Sequence, residues 1–562
     1  MGTLPEHVMN SDQHEDVYNP TSGKTMNSDP TQLIQASAAL GALALAFYVV
    51  PYLLDPYDYR RRFPGPPLAR FTNWWMSSLT RTGHHSNIVQ RLHEKYGTFV
   101  RLGPNHISIA DPDALETIYG HGSGLLKSDF YRVFQNAPTR DVFNTTDRAE
   151  HSKKRKRLAN IFSPQNVLAF EPRCKEAAQG ATGVNWRVWN GQAVVNICAQ
   201  ISYLAFDIIG DLALGSPFGL IQAQKDSSPS IESVDESGEP RRGTVEIPVV
   251  KTIAGGGSTL MAVGFFPPWT HKLLQLLPWN LTGLFDTLNF VKLATISVDA
   301  RLKRGPRKNP ENGRQSIDLI DKLLEVKNED GGPLPVDELY AETVALLIAG
   351  SDTTSNTLSS LFYHMAIDPK LQQRLQVELD EHIPYDSSDE SNNKEGLVIP
   401  PHDAIAQYED IKNLPYLNAC LKEALRIHST VGTGLLRVVP PGKTITIRGQ
   451  TFKAGSVISV PSYTTNRMNV WGDDAEAFRP ERWLDDHAGS FNKYFVPFSV
   501  GPRACIGRNL AYMDLMLISA TIFHRYQLKA LPTTKMVVHE AFVREASHCE
   551  IAIKRRNAPE QA

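Results

Sequence analysis

Cysteine is scarce in this chain. Five thiols, Cys174, Cys198, Cys420, Cys505 and Cys549, are scattered over 562 residues, odd in number and without a Cys-x-x-Cys pair. That spacing excludes a disulfide framework and a thiolate zinc site, and it fits a reducing compartment. An excess of either charge is also missing: 58 Lys and Arg against 60 Asp and Glu leave no global field to attract nucleic acid, so nucleic acid is not an expected partner. No internal repeat and no long low-complexity linker divides the sequence, which points to one large domain with appendages.

Against that background one stretch stands out, Phe498-Ser499-Val500-Gly501-Pro502-Arg503-Ala504-Cys505-Ile506-Gly507. A single soft thiolate set among backbone N–H groups suits haem iron better than a hard cation. Gly501 and Gly507 let the backbone pass close to a flat cofactor, Arg503 offers a fork for a propionate, and Phe498 would pack beside the sulfur. A chance match to Phe-x-x-Gly-x-Arg-x-Cys-x-Gly in a chain of this length has a probability of about one in ten thousand. With this pattern the chain resembles the cytochrome P-450 haem-thiolate monooxygenases. The resemblance implies a mainly α fold with small β-sheets, haem b as cofactor, and electrons from NADPH through a reductase.

Residues 1–32 are polar and without apolar periodicity, and read as a disordered tail. Leu33 to Leu54 is an uncharged, mostly apolar run that at about 1.5 Å per residue can span a bilayer core. Arg60, Arg61, Arg62 and Arg70 follow it while the tail before it is acidic, so positive-inside places the larger part in the cytosol. A single-pass anchor on the endoplasmic reticulum membrane is the expected localisation. Residues 55–70, with Phe63-Pro64-Gly65-Pro66-Pro67, form a stiff connector, residues 71–556 the catalytic domain, and 557–562 a short tail. Strands are expected at Val100 to Leu102, His106 to Ala110, Thr444 to Ile447 and Val457 to Val460, and a short helix at Pro112 to Tyr119. Two polar stretches, Lys225 to Gly243 and Asp386 to Glu395, read as surface loops.

A helical pattern from about Val336 to Ile367 contains Ala349-Gly350-Ser351-Asp352-Thr353-Thr354. An acid beside a hydroxyl, after a glycine that leaves room in the helix groove, suits proton delivery to iron-bound dioxygen. Asp352 is the relay and Thr353 the oxygen or water holder; alone, such residues more often bond back to helix carbonyls. Glu423 and Arg426 share a helix face at spacing i, i+3. The family resemblance adds Arg482 to them, as a buried network that supports the haem loop. It also implies propionate contacts from Arg155, in the basic run Lys153 to Arg157, and from Arg437. His151 and Asn466 stand where the family usually has tryptophan and histidine. The remaining cations of the run would face outward toward an acidic reductase.

Gly83-His84-His85-Ser86, Phe206 to Gly215, Arg426 to Thr430 and Val460 to Tyr463 resemble the fungal benzoate para-hydroxylases, which implies a small aromatic acid as substrate together with dioxygen. Phe130, Tyr131, Phe134 and Phe143, with Thr430, Val431, Thr433 and Leu435, are the candidate pocket lining, and Arg132 or Arg140 the candidate carboxylate anchor. The rival readings are a hydroxylase or oxidase of a polyketide, terpenoid or phenolic in fungal secondary metabolism, and a haem-binding protein without catalysis. A proton relay such as Asp352-Thr353 is superfluous in the last.

Overall fold

The computed structural model describes residues 30–174, 187–189, 192–238, 240–306, 317–327, 331–383 and 406–556. The tail before residue 30, the stretch 386–395 and residues 557–562 lie outside them. The chain divides into two compact units, Met1–Leu54 and Asp55–Ala562. In the first, helix α1 (Pro30–Leu53) exposes its apolar residues, Ile34, Leu40, Leu43, Leu45 and Phe47 among them. This one apolar helix near the N-terminus is compatible with a membrane anchor.

The second unit is mainly helical. Its principal helices are α2 (His85–Tyr96), α3 (Arg148–Ala159), α4 (Ile197–Leu214), α5 (Val249–Gly264), α6 (Leu281–Arg304), α7 (Val336–Ile367), α8 (Pro415–His428) and α9 (Arg508–Arg525). Helix α4 is apolar and long enough to cross a bilayer, yet 78% of it is buried inside the domain. It is a core helix. Helix α7 runs the expected length and stops where Pro369 forces Asp368 into an extended conformation. One apolar core joins Leu347, Leu358 and Phe362 of α7, Leu204, Ile208 and Leu212 of α4, Leu417 and Leu421 of α8, and Met513, Leu517 and Phe523 of α9.

Small sheets flank these helices. Strands β1 (Phe99–Arg101), β2 (His106–Ile109), β3 (Leu126–Lys127), β4 (Arg437–Val438) and β5 (Val457–Ser459) form one sheet in the order β1-β2-β5-β4-β3. Its pairing is antiparallel except between β2 and β5. Two later strands, β6 (Val537–Glu540) and β7 (Arg544–His548), make an antiparallel hairpin. The expected short helix is Ala114–Tyr119, and the expected strand at Thr444 to Ile447 is Ile445–Ile447.

The stretch Lys225 to Gly243 is not a plain loop. Ser228–Val234 pairs with Pro240–Ile247 as an antiparallel hairpin, and Lys303 of α6 donates to Val234 O at 3.1 Å. Ladder hydrogen bonds satisfy a polar backbone whatever its side chains, so polarity alone did not exclude strands.

Candidate active site

The Cys505 loop is short and closed on itself. Gly501–Arg503 is a single 3₁₀ turn, Cys505 N donates to Phe498 O at 2.8 Å, and Ala511 N donates to Gly507 O at 2.9 Å as α9 begins. Gly501 has φ +73°, and a Cβ there would lie 2.1 Å from Tyr119 O, so the close approach and the left-handed backbone both require glycine. Of the five cysteines Cys505 alone is exposed. Although part of the residue meets solvent, loss of water around the sulfur raises its thiol pKa, while the Gly507 N–H and the charges of Arg155 and Arg508 pull it down. The Phe498 ring lies 5.1 Å from that of Tyr512.

Beside this loop cations converge. Arg155 Nη1 donates to Ala504 O at 2.6 Å, fastening α3 to the cysteine loop. Arg503 donates to Thr145 O at 2.6 Å and to Thr146 O and Asp147 O at 3.1 Å. Arg437 Nη1 donates to Leu436 O at 3.2 Å, and its guanidinium sits 4.9 Å over the Tyr119 ring. A further cation escaped the motif reading: Lys127 of β3 is buried, donates to Phe143 O, and lies 4.1 Å over the rings of Tyr131 and Phe143. Burial, then repulsion from Arg437 and Arg503, drives the Lys127 ammonium well below its ordinary pKa. Burial and Arg437 lower Arg503 to about 10, and burial with Arg503 and Lys127 lowers His151 to about 3. His151 is therefore neutral here. Such crowding of like charge costs free energy and would be relieved by a bound anion. A soft thiolate next to that cation cluster is a donor set that fits haem, with Cys505 for the iron and Arg155, Arg437, Arg503 and Lys127 for the propionates.

Two cations of the basic run do not face outward. Lys154 is buried and bonds Glu338 at 2.5 Å, and Arg157 reaches the same carboxylate at 3.3 Å. Helix periodicity turns these positions onto α7, whose first turn carries Glu338.

Glu423, Arg426 and Arg482 meet with no exposed surface. Glu423 Oε1 accepts from Arg426 Nη2 at 2.8 Å, Arg482 Nε at 3.0 Å and Arg479 N at 2.8 Å; Oε2 accepts from Arg426 Nε at 2.9 Å and Trp483 Nε1 at 3.0 Å. Burial pushes the Glu423 carboxyl up, but the two guanidinium groups outweigh it and hold it below the ordinary range. Asn466 belongs to this network: its backbone carbonyl accepts from Arg426 Nη1 at 2.6 Å and its side-chain Nδ2 donates to Arg426 O at 3.1 Å.

On α7 the hydroxyls bond back to the helix: Thr353 Oγ1 donates to Ala349 O at 2.8 Å and Ser351 Oγ to Leu347 O at 2.7 Å. Gly350 has a packing duty beside the one expected. A Cβ there would meet Ile209 Cγ1 at 2.7 Å, so the glycine lets α4 pack against α7. Asp352 is half-buried, and burial, with repulsion from Glu545 on β7, raises its carboxyl to about 8. It carries a proton at neutral pH. Asn356 ties the two elements, donating to Asp352 O and accepting from Ala546 N of β7, both at 2.6 Å.

The aromatic wall is assembled from distant segments. Phe130 stands 5.3 Å from Tyr131, 5.5 Å from Phe134 and 5.1 Å from Phe265; Tyr131 is 5.6 Å from Phe143. Phe542, at the tip between β6 and β7, lies 5.3 Å from Phe134 and 5.6 Å from Phe143. No local signal in the sequence ties it to residues four hundred positions earlier. Thr430 Oγ1 lies 3.1 Å from Thr357 Oγ1 of α7. Leu435 packs against the cluster that contains Ile107, Tyr119 and Ile458, and its neighbour Leu436 joins the aromatic wall. Arg132 pairs with Asp129 at 2.8 Å and Arg140 with Glu150 at 3.4 Å, all four at least a third exposed. Neither arginine is a buried cation in the wall.

The cytochrome P450 family profile matches residues 64–548, and the chain belongs to that family. It is a haem-dependent monooxygenase, an oxidoreductase by class. A benzoate 4-monooxygenase of Aspergillus niger is 37% identical over 92% of this chain and 96% of its own length. A cytochrome P450 monooxygenase of Aspergillus flavus is 29% identical over 92% of the chain and 97% of the relative. Pisatin demethylase of Fusarium vanettenii is 28% identical over 84% of each.

Proposed function

We propose that the chain hydroxylates benzoate, or a closely related aromatic acid, at the para position, taking electrons from NADPH through a cytochrome P-450 reductase. The observation that carries this reading is the 37% identity to a benzoate 4-monooxygenase over nearly the whole of both chains. The pocket wall supports it, since packed aromatic rings suit a single flat ring.

Haem, when bound, supplies the activation of dioxygen, which a thiolate ligand promotes by donating electron density. The other roles fall to side chains. Cys505 Sγ is the ligand, in a loop braced by the Phe498 carbonyl and by Arg155. Arg155, Arg437, Arg503 and Lys127 neutralise the propionates. Asp352 holds a proton on its carboxyl at neutral pH. Thr353 donates its own proton to Ala349 O, which leaves its lone pairs free to accept from a water. Phe130, Tyr131, Phe134, Phe143 and Phe542 exclude water and orient the ring. Glu423, Arg426 and Arg482 lock the segments before the cysteine loop.

The same reading places a single-pass anchor at residues 33–54 in the endoplasmic reticulum membrane, a connector at 55–70, and the catalytic domain, residues 71–556, in the cytosol. Lys153 and Lys156 of α3, exposed beside the buried Lys154, are the cations placed to steer an acidic reductase. The test is a reduced carbon-monoxide difference spectrum paired with a benzoate titration of the ferric form. A thiolate-type band and a low-to-high-spin shift are expected. The band without the shift would move the substrate to a larger secondary metabolite, and no band would remove the haem assignment.

A further inference from the structure

The hairpin that carries Phe542 is held by a buried clamp with no part in the chemistry above. Glu540, at the end of β6, is 1% exposed, and Arg544, at the start of β7, is 6% exposed. Glu540 Oε2 accepts from Ser86 N of α2 at 2.7 Å, Oε1 accepts from Ser86 Oγ, and Arg544 Nη1 donates to Oε2 at 3.3 Å. The Glu540 backbone N–H adds a bond to Gly83 O at 2.8 Å. Gly83 and Ser86 belong to the segment Gly83-His84-His85-Ser86, which no role described so far absorbs.

The clamp also grips the loop on the other side of the pocket. Arg544 N donates to Thr430 O at 2.8 Å, and Arg544 Nε donates to His428 O at 3.0 Å. Gly432 lies flush against it: a Cβ there would meet Ser86 Oγ at 2.5 Å, Arg544 Cδ at 2.6 Å and Glu540 Oε1 at 3.1 Å. Between its two clamped ends the hairpin turns through Ala541, Phe542 and Val543, closed by Ala541 N to Val543 O at 3.0 Å. The turn has little freedom. A charge-assisted, fully buried set of bonds therefore fixes at once the Phe542 ring and the 430–435 loop.

We infer that Glu540 is a positioning residue that sets the width of the substrate pocket: by joining Ser86 to Arg544 it holds the hairpin tip so that Phe542 closes the aromatic wall around a single ring. The inference rests on the aromatic pocket of the proposed function, and not on benzoate itself.

The test uses the full-length holoprotein and two iron-binding azoles, 4-phenylimidazole and its bulkier naphthyl analogue, titrated by their Soret shifts. Azole binding reads pocket width whatever the natural substrate is. Wild type prefers the phenyl azole. Glu540→Gln and Phe542→Ala each lower that preference about tenfold, the scale set by losing one charge-assisted contact. The double variant shows no more loss than Phe542→Ala alone. A Glu540→Gln holoprotein with its carbon-monoxide band intact and the wild-type preference overturns the inference. Should that variant not fold, Arg544→Lys decides: it keeps a positive charge beside Glu540 but loses the guanidinium fork that bonds both Glu540 Oε2 and His428 O, and an unchanged preference there contradicts the clamp. If wild type discriminates between the azoles but shows no spin shift with benzoate, the substrate reading fails and the clamp stands.

Discussion

The cysteine side of the site and the aromatic pocket are built in opposite ways. Around Cys505 the bonds that shape the loop run through the backbone between residues near in sequence, Cys505 N to Phe498 O and Ala511 N to Gly507 O, and two remote segments close on it, Tyr119 O against Gly501 and Arg155 on Ala504 O. In the candidate pocket wall, Phe130, Phe265 and Phe542 come from three remote segments, with the Phe130 ring 5.1 Å from that of Phe265 and 6.4 Å from that of Phe542. In the first arrangement substitution is barred where the backbone or the sulfur demands one residue type, at Gly501 and at Cys505. The second can be re-cut one ring at a time, and this is how one fold serves many substrates.

Substitutions ordered by effect sharpen that contrast. Cys505→Ala removes the thiolate, and the thiolate-type carbon-monoxide band disappears entirely; a retained band would reassign the ligand. Glu423→Ala leaves the buried Arg426 guanidinium without a carboxylate and Arg482 with Asp474 alone, a loss of about 3–5 kcal/mol. The holoprotein should melt well below wild type in a thermal scan, whereas a variant of equal stability would deny the network its role.

Asp352→Asn should spare haem binding and lower product formed per NADPH, with peroxide released instead. The pH profile carries the sign. A carboxyl raised to about 8 is protonated below that value, so coupling in wild type holds at neutral pH and falls as pH rises through about 8. Asparagine does not titrate, so the inflection should vanish, and Glu545→Gln, by removing a like charge, should move it downward. An inflection that persists in Asp352→Asn assigns the proton elsewhere. The smallest effect belongs to Arg132→Ala: its exposed pair with Asp129 contributes roughly 0–1 kcal/mol, and benzoate affinity should not change. A large loss of affinity would return Arg132 to the pocket.

Legibility in the sequence followed the same division. The Cys505 loop, helix α7 and the Glu423 to Arg426 spacing could be read because each is local, set by adjacent residues or by one helical turn. Lys127 could not, since a lone lysine in a two-residue strand carries no sign that four aromatic or cationic neighbours will enclose it. Gly350 was visible but its packing duty was not, because the atom it makes room for, Ile209 Cγ1, lies on another helix. Phe542 and the Ser86 to Glu540 contact depend on a hairpin reaching back across the whole domain, which periodicity does not encode. Asn466 looked like a departure from the family, yet its side-chain amide serves the network, donating to Arg426 O and Ser429 Oγ.

The most direct test of the central claim is isotopic. Holoprotein with a P-450 reductase, NADPH and benzoate is run under ¹⁸O₂, and the product is analysed by mass spectrometry. The account predicts 4-hydroxybenzoate carrying one labelled oxygen in its ring hydroxyl. Benzoate recovered unchanged from an enzyme that shows the thiolate-type band, or a hydroxylated product without label, would contradict it.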